Sequence, residues 1–270
     1  MAHTLTQAAA AWFGERGVEV RIPAEEAEAV GLPHLACERE HFGDGVDLVL
    51  AVGGDGTMLH AVQLAYAAKA PLLGVNAGQL GYLSALEAAE LDGAMPRLLA
   101  GDYEIVERMM LEVRLDAAGG STTEFGLNEM VLEKERAGHL IRFELSINRT
   151  PFTSYAADGV IVATPTGSTA YSFSVRGPIA SPALRCLLLT PISPHMLFDR
   201  SLVLAEHEEL EFQVGDGRRV VCTVDGRESG VLTTGDRVVC QAAAEPLRMV
   251  ALAPRDFHQI LKAKFSLPDR

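Results

Sequence analysis

Positive charge is scarce in this chain. Its 23 lysines and arginines face 36 aspartates and glutamates, for a formal net charge of -13 over 270 residues. That balance excludes a basic stripe for nucleic acid and a polybasic patch for a membrane surface. An anionic nucleotide must instead be held by local devices such as glycine turns, helix N-termini or bound magnesium. Cysteine is also sparse. Cys37, Cys186, Cys222 and Cys240 show no CxxC spacing and no nearby histidine ladder. A zinc centre or a disulfide framework is therefore not expected, and the thiols are read as reduced and buried. No apolar run reaches 18 residues, so no spanning helix is expected. The start, MAHTLTQAAAAWF, lacks the basic and long apolar regions of a secretory signal. The expected location is the cytoplasm.

What is present is an ordinary globular composition, 48% hydrophobic and 22% charged. Thr6–Arg16 favours helix. Asp47–Val52 is a short continuous apolar run, as in a strand buried on both faces of a parallel sheet. Residues 57–68 follow a helical spacing, Pro71–Val75 is a second buried strand, and 86–100 reads as helix up to Gly101. Strand, helix and strand at this spacing make a βαβ unit. Beyond Tyr103 the period changes to two. Leu111, Val113 and Leu115 alternate with polar residues, as do Ile141, Phe143, Leu145 and Ile147, and then Leu210, Phe212 and Val214. Such alternation marks half-buried strands. The expected fold is an α/β N-terminal domain with a parallel sheet over residues 1–102. A β-rich domain of stacked sheets follows over 103–251, and the tail at 252–270 returns to helical spacing.

Two stretches carry the chemistry. The first is VGGDGTML, in which Gly53, Gly54, Gly56 and Thr57 surround Asp55. Glycines let backbone approach a ligand closely, and the following helix start offers free N–H groups to phosphate. There is no P-loop Lys-Ser/Thr ending and no GxGxxG fingerprint. A carboxylate in such a turn can accept a proton from an attacking hydroxyl or hold Mg²⁺. The bland reading makes Asp55 a helix N-cap. The second stretch is DGVIVATPTGSTAYS, from Asp158 to Ser172. A β-branched strand runs into Thr166, Ser168, Thr169 and Ser172, with Gly167 for the bend and Tyr171 as a flat face for a base. That is more hydroxyl groups than one helix cap needs, so a ligand loop is expected. Asn128-Glu129 would suit ribose hydroxyls. His195 is a candidate phosphate contact and Asp225 reads as a hairpin turn, each weak when taken alone.

Together, VGGDGTML, VNAGQLGYLS, LNEMVL, DGVIVATPTGSTAYSFS and LTPISPH resemble the NAD kinase family, in order, over about Val46 to Leu261. GGDGT alone is shared with lipid kinases and phosphofructokinases, whereas TPTGSTAYS with its upstream DG and downstream TPISPH is far more specific. The resemblance implies phosphoryl transfer from Mg²⁺-bound ATP, or polyphosphate in some members, to the 2′-hydroxyl of the adenosine ribose of NAD. It implies Asp55 as base and ribose contact, with Gly53, Gly54, Gly56 and Thr57 on phosphates. It places Asn128 and Glu129 on the ribose and adenine side of NAD, and Thr169 and Tyr171 at the adenine. Asp158, Ala170 and Ser172 fall toward the nicotinamide end, and His195 and Asp225 near ligand across a subunit contact. It also implies that the tail at about 252–270 completes the first domain, and that the protein is a homodimer or homotetramer.

Three departures from the family pattern stand out. The chain begins at what reads as the family's first helix, without the short strand that usually precedes it. Ala156 stands where many bacterial members carry Arg or Lys two residues before the DG. Arg176 precedes Gly177-Pro178 where small residues are usual, and it is a candidate substitute for the missing cation. Two other readings stay open on the sequence: a lipid or sugar kinase sharing the GGDG turn, and a non-catalytic nucleotide-binding regulator.

Overall fold

The computed structural model describes every residue except 79, 80, 82, 137, 139, 216, 255 and 268–270. The chain divides into two compact units, Met1–Glu107 with Leu247–Arg270, and Arg108–Pro246.

The first unit opens with α1 (Ala2–Gly14), whose Ala9 and Ala10 are buried. A small parallel pair, β1 (Ile22–Pro23) and β2 (Ala36–Cys37), brackets α2 (Ala24–Ala29). Then comes the expected βαβ unit: β3 (Val49–Gly53), α3 (Asp55–Ala68) and β4 (Leu72–Asn76). Every residue of β4 is buried, as a central parallel strand requires. β5 (Leu86–Glu87) also lies parallel to β4. After α4 (Leu91–Ala100) come β6 (Glu104–Arg108) and, from the far end of the chain, β19 (Leu247–Ala251). The sheet order is β3-β4-β19-β6. β19 sets Met249 against Leu72 in parallel, so residues 247–251 belong to this sheet although they precede the tail helix α6 (Phe257–Lys264).

One helix starts later than its sequence pattern predicts. Residues 86–90 form β5 and a 3-10 turn, and α4 begins only at Leu91. Glu87 and Glu90 make a reciprocal capping box, with the Glu87 N–H donating to Glu90 Oε2 at 2.8 Å. That box satisfies orphan donors at the start of the 3-10 turn, and the turn runs directly into α4 at Leu91. The end at Gly101 is as expected: its φ of 71° is the left-handed cap that glycine provides.

The second unit is a sandwich. One six-stranded sheet runs β11 (Thr150–Ala157), β10 (Ile141–Ile147), β15 (Leu210–Val214), β18 (Arg237–Ala242), β7 (Leu111–Ala117) and β8 (Gly120–Gly126). The other runs β14 (Leu202–Ala205), β13 (Cys186–Ile192), β12 (Gly159–Ala163), β9 (Glu129–Lys134), β16 (Val220–Val224) and β17 (Arg227–Leu232). Their pairings are antiparallel. The alternating residues of β7, β10 and β15 meet Met130, Leu132, Val160, Val162, Leu187 and Leu189 in one core. β9, β12 and β13 are buried on their second face too. There Val131, Ile161, Ala163 and Leu188 pack under Ala180 and Val175. The segment that covers this face is the continuation of the hydroxyl-rich loop, so the loop is anchored on the most apolar strands of the unit. Among the described residues, no helix is long and apolar enough to cross a membrane.

Candidate functional site

The glycine turn lies in the first unit, at the C-terminal end of β3. Open parallel sheets bind ligands at such ends. Helix α3 begins at Asp55, and its N-cap is Gly54, with no side-chain capping bond. The bland reading of Asp55 as N-cap is therefore corrected. The extended backbone of Gly54 already takes that position, which leaves the Asp55 carboxylate uncommitted to the helix ladder. Asp55 is half-buried, and its Oδ1 is buried with no hydrogen-bond partner among the described residues. A buried carboxylate oxygen without a donor is costly unless a ligand supplies one. Gly53 is buried beneath Thr57; a Cβ there would run into the threonine side chain. Gly54, Gly56 and Thr57 are exposed, and the N–H groups of the first helical turn have no intrahelical partners. The second glycine loop, VNAGQLGYLS, leaves the adjacent end of β4. Its residues 79, 80 and 82 lie outside the described residues. A Cβ on Gly81 of this loop would collide with Asp55 Oδ1, so only glycine lets the carboxylate lie there.

In the second unit, Asn128 and Glu129 sit at the start of β9, both buried. What holds them is Asp225. Its carboxylate accepts from the backbone N–H groups of Leu127 at 2.7 Å, Asn128 at 2.8 Å and Glu129 at 3.1 Å. Its own N–H donates to the Glu129 carbonyl at 3.0 Å. Asp225 has the hairpin position expected of it, with φ of 49°, but it is 8% exposed and its carboxylate points into its own chain. Burial pushes this carboxyl up, and the three N–H donors and Arg227 restrain the rise. Glu129 next to it is pushed up to about 8, first by burial and then by the Asp225 charge, against a lowering hydrogen bond from the Tyr171 backbone. Glu129 Oε2 is buried with no partner among the described residues. The pair thus carries its charge on Asp225, where the donors are.

That arrangement has a pH signature. Glu129 binds its proton up to about 8 in the folded state, against an ordinary 4.5. The folded chain holds more protons than the unfolded one in this window, so stability falls as pH rises. The Glu129 share is complete below the ordinary value and lost as pH climbs through the folded one. With about 1.4 kcal/mol per unit of displacement as the ceiling, a loss on the order of 2 kcal/mol is expected between roughly pH 5 and pH 8. Glu129→Gln should flatten it. Urea unfolding of both proteins at the two pH values measures this, and parallel slopes would contradict it.

The hydroxyl-rich loop is built against the same place. The Thr164 N–H donates to the Asn128 carbonyl at 2.9 Å, and Thr164 Oγ1 accepts from the Gly167 N–H at 3.1 Å. Gly167 packs so closely on the Asn128 backbone that a Cβ would overlap its carbonyl. Not all the hydroxyls face outward. Ser168 is buried, exchanging hydrogen bonds with the Ala180 backbone at 3.0 and 3.2 Å. Ser172 is buried and meets Thr190 Oγ1 at 3.4 Å, which in turn meets Ser201 at 3.1 Å. Thr166, Thr169 and Ala170 are half-buried, and Thr169 Oγ1 donates to the Thr166 carbonyl at 3.3 Å. Tyr171, at the head of α5 (Tyr171–Ser174), is 36% exposed. Its hydroxyl donates to Glu133 at 2.7 Å, which lifts the phenol to about 12. Asp158 is paired with Lys134. His195 is exposed, and its N–H donates to the Ala156 carbonyl at 2.8 Å.

The remaining departures can also be placed. Ala156 sits opposite Arg142 across β10 and β11. Arg176 is exposed and takes a left-handed φ of 68° just past α5. The sequence reading missed Glu133, Lys134, Thr164 and Thr190, whose parts are set by strand register.

The family models for the ATP-NAD kinase N-terminal and C-terminal domains match residues 20–103 and 127–252. The chain is 41% identical over 256 residues to an NAD kinase from Heliobacterium modesticaldum, covering 94% of this chain and 90% of the relative. It is 39% identical over 254 residues to one from Moorella thermoacetica, covering 94% and 81%. Among solved structures, yeast NADH kinase complexed with NADH superposes with a TM-score of 0.90 at 25% identity, covering 100% of this chain and 85% of that one. An NAD kinase from Archaeoglobus fulgidus in complex with ATP gives 0.68 at 21% identity, covering 90% and 94%, a likeness of fold. With both domain models matched in order on the two units that carry the glycine turn and the buried Asn128-Glu129 pair, the chain belongs to the NAD kinase family.

Proposed function

We infer that this chain transfers the terminal phosphoryl group of ATP to the 2′-hydroxyl of the adenosine ribose of NAD, forming NADP. The observation that carries this reading is the uncommitted Asp55 carboxylate in the glycine turn, on a chain of this family. Phosphoryl transfer needs positioning and charge neutralisation more than covalent help. The exposed N–H groups around Gly54, Gly56 and Thr57 take phosphate oxygens. Asp55 orients the ribose hydroxyl and accepts its proton. Asn128 and Glu129 hold ribose hydroxyls, with the protonated Glu129 carboxyl offering its unpartnered Oε2 to them. Thr166, Thr169 and Tyr171 line the adenine, and Asp158, Ala170, Ser172 and His195 belong to the remainder of the dinucleotide. Asp225 serves by holding the 127–129 backbone.

A divalent cation supplies charge neutralisation on the triphosphate when bound. Among the described residues no three carboxylate, histidine or cysteine side chains converge as a metal cage. The fit is thus to an ion that enters on the phosphates and would meet no more than one or two carboxylates of the chain, as Mg²⁺ commonly does. We place the enzyme in the cytoplasm, in keeping with four free cysteines. A dimer or tetramer is part of the reading. It is supported by the exposed Leu197, Phe152, Phe198 and Val203, of which Val203 lies on the edge strand β14.

Phosphate incorporation from labelled ATP, offered NAD, a diacylglycerol or a sugar phosphate in turn, tests this function. Incorporation into NAD is the expected result, and incorporation into another acceptor, or none, would overturn it. Tyr171 gives a finer test. Its hydroxyl is spent on Glu133, so the ring is what the ligand meets. Stacking on a base is worth about 1–3 kcal/mol. Tyr171→Ala should therefore raise KM for NAD about 5- to 100-fold with KM for ATP little changed, while Tyr171→Phe stays near wild type. Equal losses in the two variants would assign the effect to the hydroxyl instead.

A further inference from the structure

We propose that Asn76 and Glu87 are positioning residues that clip the second glycine loop in place and thereby aim the Asp55 carboxylate. The proposal rests on the reading of Asp55 as the base.

Asn76 ends β4, and its register partner on β3 is Gly53, the first residue of the phosphate turn. The N–H of Ala77 donates to the Gly53 carbonyl at 3.2 Å. The two glycine loops therefore leave the sheet side by side, tied at their roots. Asn76 is 2% exposed. Its Oδ1 accepts from the Gly78 N–H at 3.0 Å, and its Nδ2 donates to Glu87 Oε2 at 2.9 Å. Glu87 ends β5 and is the register partner of Asn76 on the other side. The Ala85 N–H closes the far root of the loop on the Gly74 carbonyl at 2.8 Å.

One side-chain pair thus joins the start of the loop to its end. Gly81 lies between those roots and supports Asp55 Oδ1, with no room for a Cβ. If the loop shifts, the surface under the carboxylate shifts with it. Glu87 is doubly held, since its side chain also accepts from the Glu90 backbone in the capping box of the 3-10 turn that precedes α4. A buried amide is suited to this place because it offers one acceptor to the loop and one donor to the carboxylate. An aspartate would keep the acceptor but set two carboxylates face to face.

The test is a polarity swap. Asn76→Asp retains the bond to Gly78 and breaks the one to Glu87. The double variant Asn76→Asp/Glu87→Gln restores a donor and an acceptor between the two positions with their roles exchanged. Displacing a reacting group by about 1 Å can cost about 10²-fold, so Asn76→Asp should lower kcat by roughly 10- to 100-fold with KM for NAD unchanged. The double variant should recover most of that loss. Amide exchange at Gly78 and Gly81 reads the clip without reference to activity. It should run about tenfold faster in the single variant, as local opening becomes easier, and slow again in the double. Wild-type exchange in Asn76→Asp, or a double variant as impaired as the single, overturns the proposal. If exchange responds as expected but neither Asn76→Asp nor Asp55→Asn changes the rate, the clip stands and the role given to Asp55 fails.

Discussion

Asp55→Asn is expected to lower kcat for NAD phosphorylation by about 10²–10⁴, the usual cost of losing a general base, with little change in KM for either substrate. Asparagine keeps the shape of the side chain against Gly81 and removes only the capacity to take a proton. The fold should survive. Asp55 makes no capping bond, and Gly54 supplies the N-cap. What α3 loses is a charge at the positive end of its dipole, about 0.3–1 kcal/mol. Steady-state rates with unchanged circular dichroism check this. A fall smaller than about tenfold, well under the general-base range, would leave Asp55 as a helix-start residue only.

Asp225→Ala should be among the most destabilising single changes in the second unit and should abolish NAD binding without touching the ligand. The alanine strands the N–H groups of Leu127, Asn128 and Glu129, which now share one carboxylate. An unsatisfied buried donor costs about 1–3 kcal/mol, and the three are coupled, so a total of about 3–5 kcal/mol is expected rather than a simple sum. Alanine also tolerates the left-handed φ of 49° less well than aspartate does. Asp225→Asn, which keeps one acceptor, should fall between wild type and alanine. Urea denaturation gives the stability and calorimetric titration the affinity. A loss below about 1 kcal/mol, less than one stranded donor, would show that the backbone relaxes onto water. Retained NAD affinity in the alanine variant would separate Asp225 from the pocket.

These two aspartates show where the sequence is legible. The turn around Asp55 is local: an apolar strand, glycines and a helix follow one another within 20 residues, so both the elements and the candidate base can be read directly. The alternating strands at 111–115, 141–147 and 210–214 are legible for the same reason, since period two marks one buried face. Strands such as Cys186–Ile192, buried on both faces, carry no alternation and escape that test. Asp225 is a different case. In sequence it is a turn residue; its role appears only when β16 pairs with β9 and carries it to a backbone nearly a hundred positions away. The high Glu129 carboxyl follows from that same meeting. Serines 168 and 172 show what a local count of hydroxyls does not carry: both are buried, with their hydroxyls bonded to Ala180 and Thr190 of their own chain. The helix start at Leu91 was hidden because Glu87 and Glu90 read equally well as helix interior until their reciprocal bonds are seen.

The measurement that bears most directly on the central claim is the product itself. The purified chain, given ATP, Mg²⁺ and NAD, is followed with a dehydrogenase that reduces NADP and not NAD, and the phosphate position is fixed by ³¹P NMR. NADP phosphorylated at the adenosine 2′-oxygen, formed by the wild type and suppressed by about 10²-fold or more in Asp55→Asn, is the predicted result. No NADP, phosphate on another hydroxyl, or equal rates in the two proteins would contradict it.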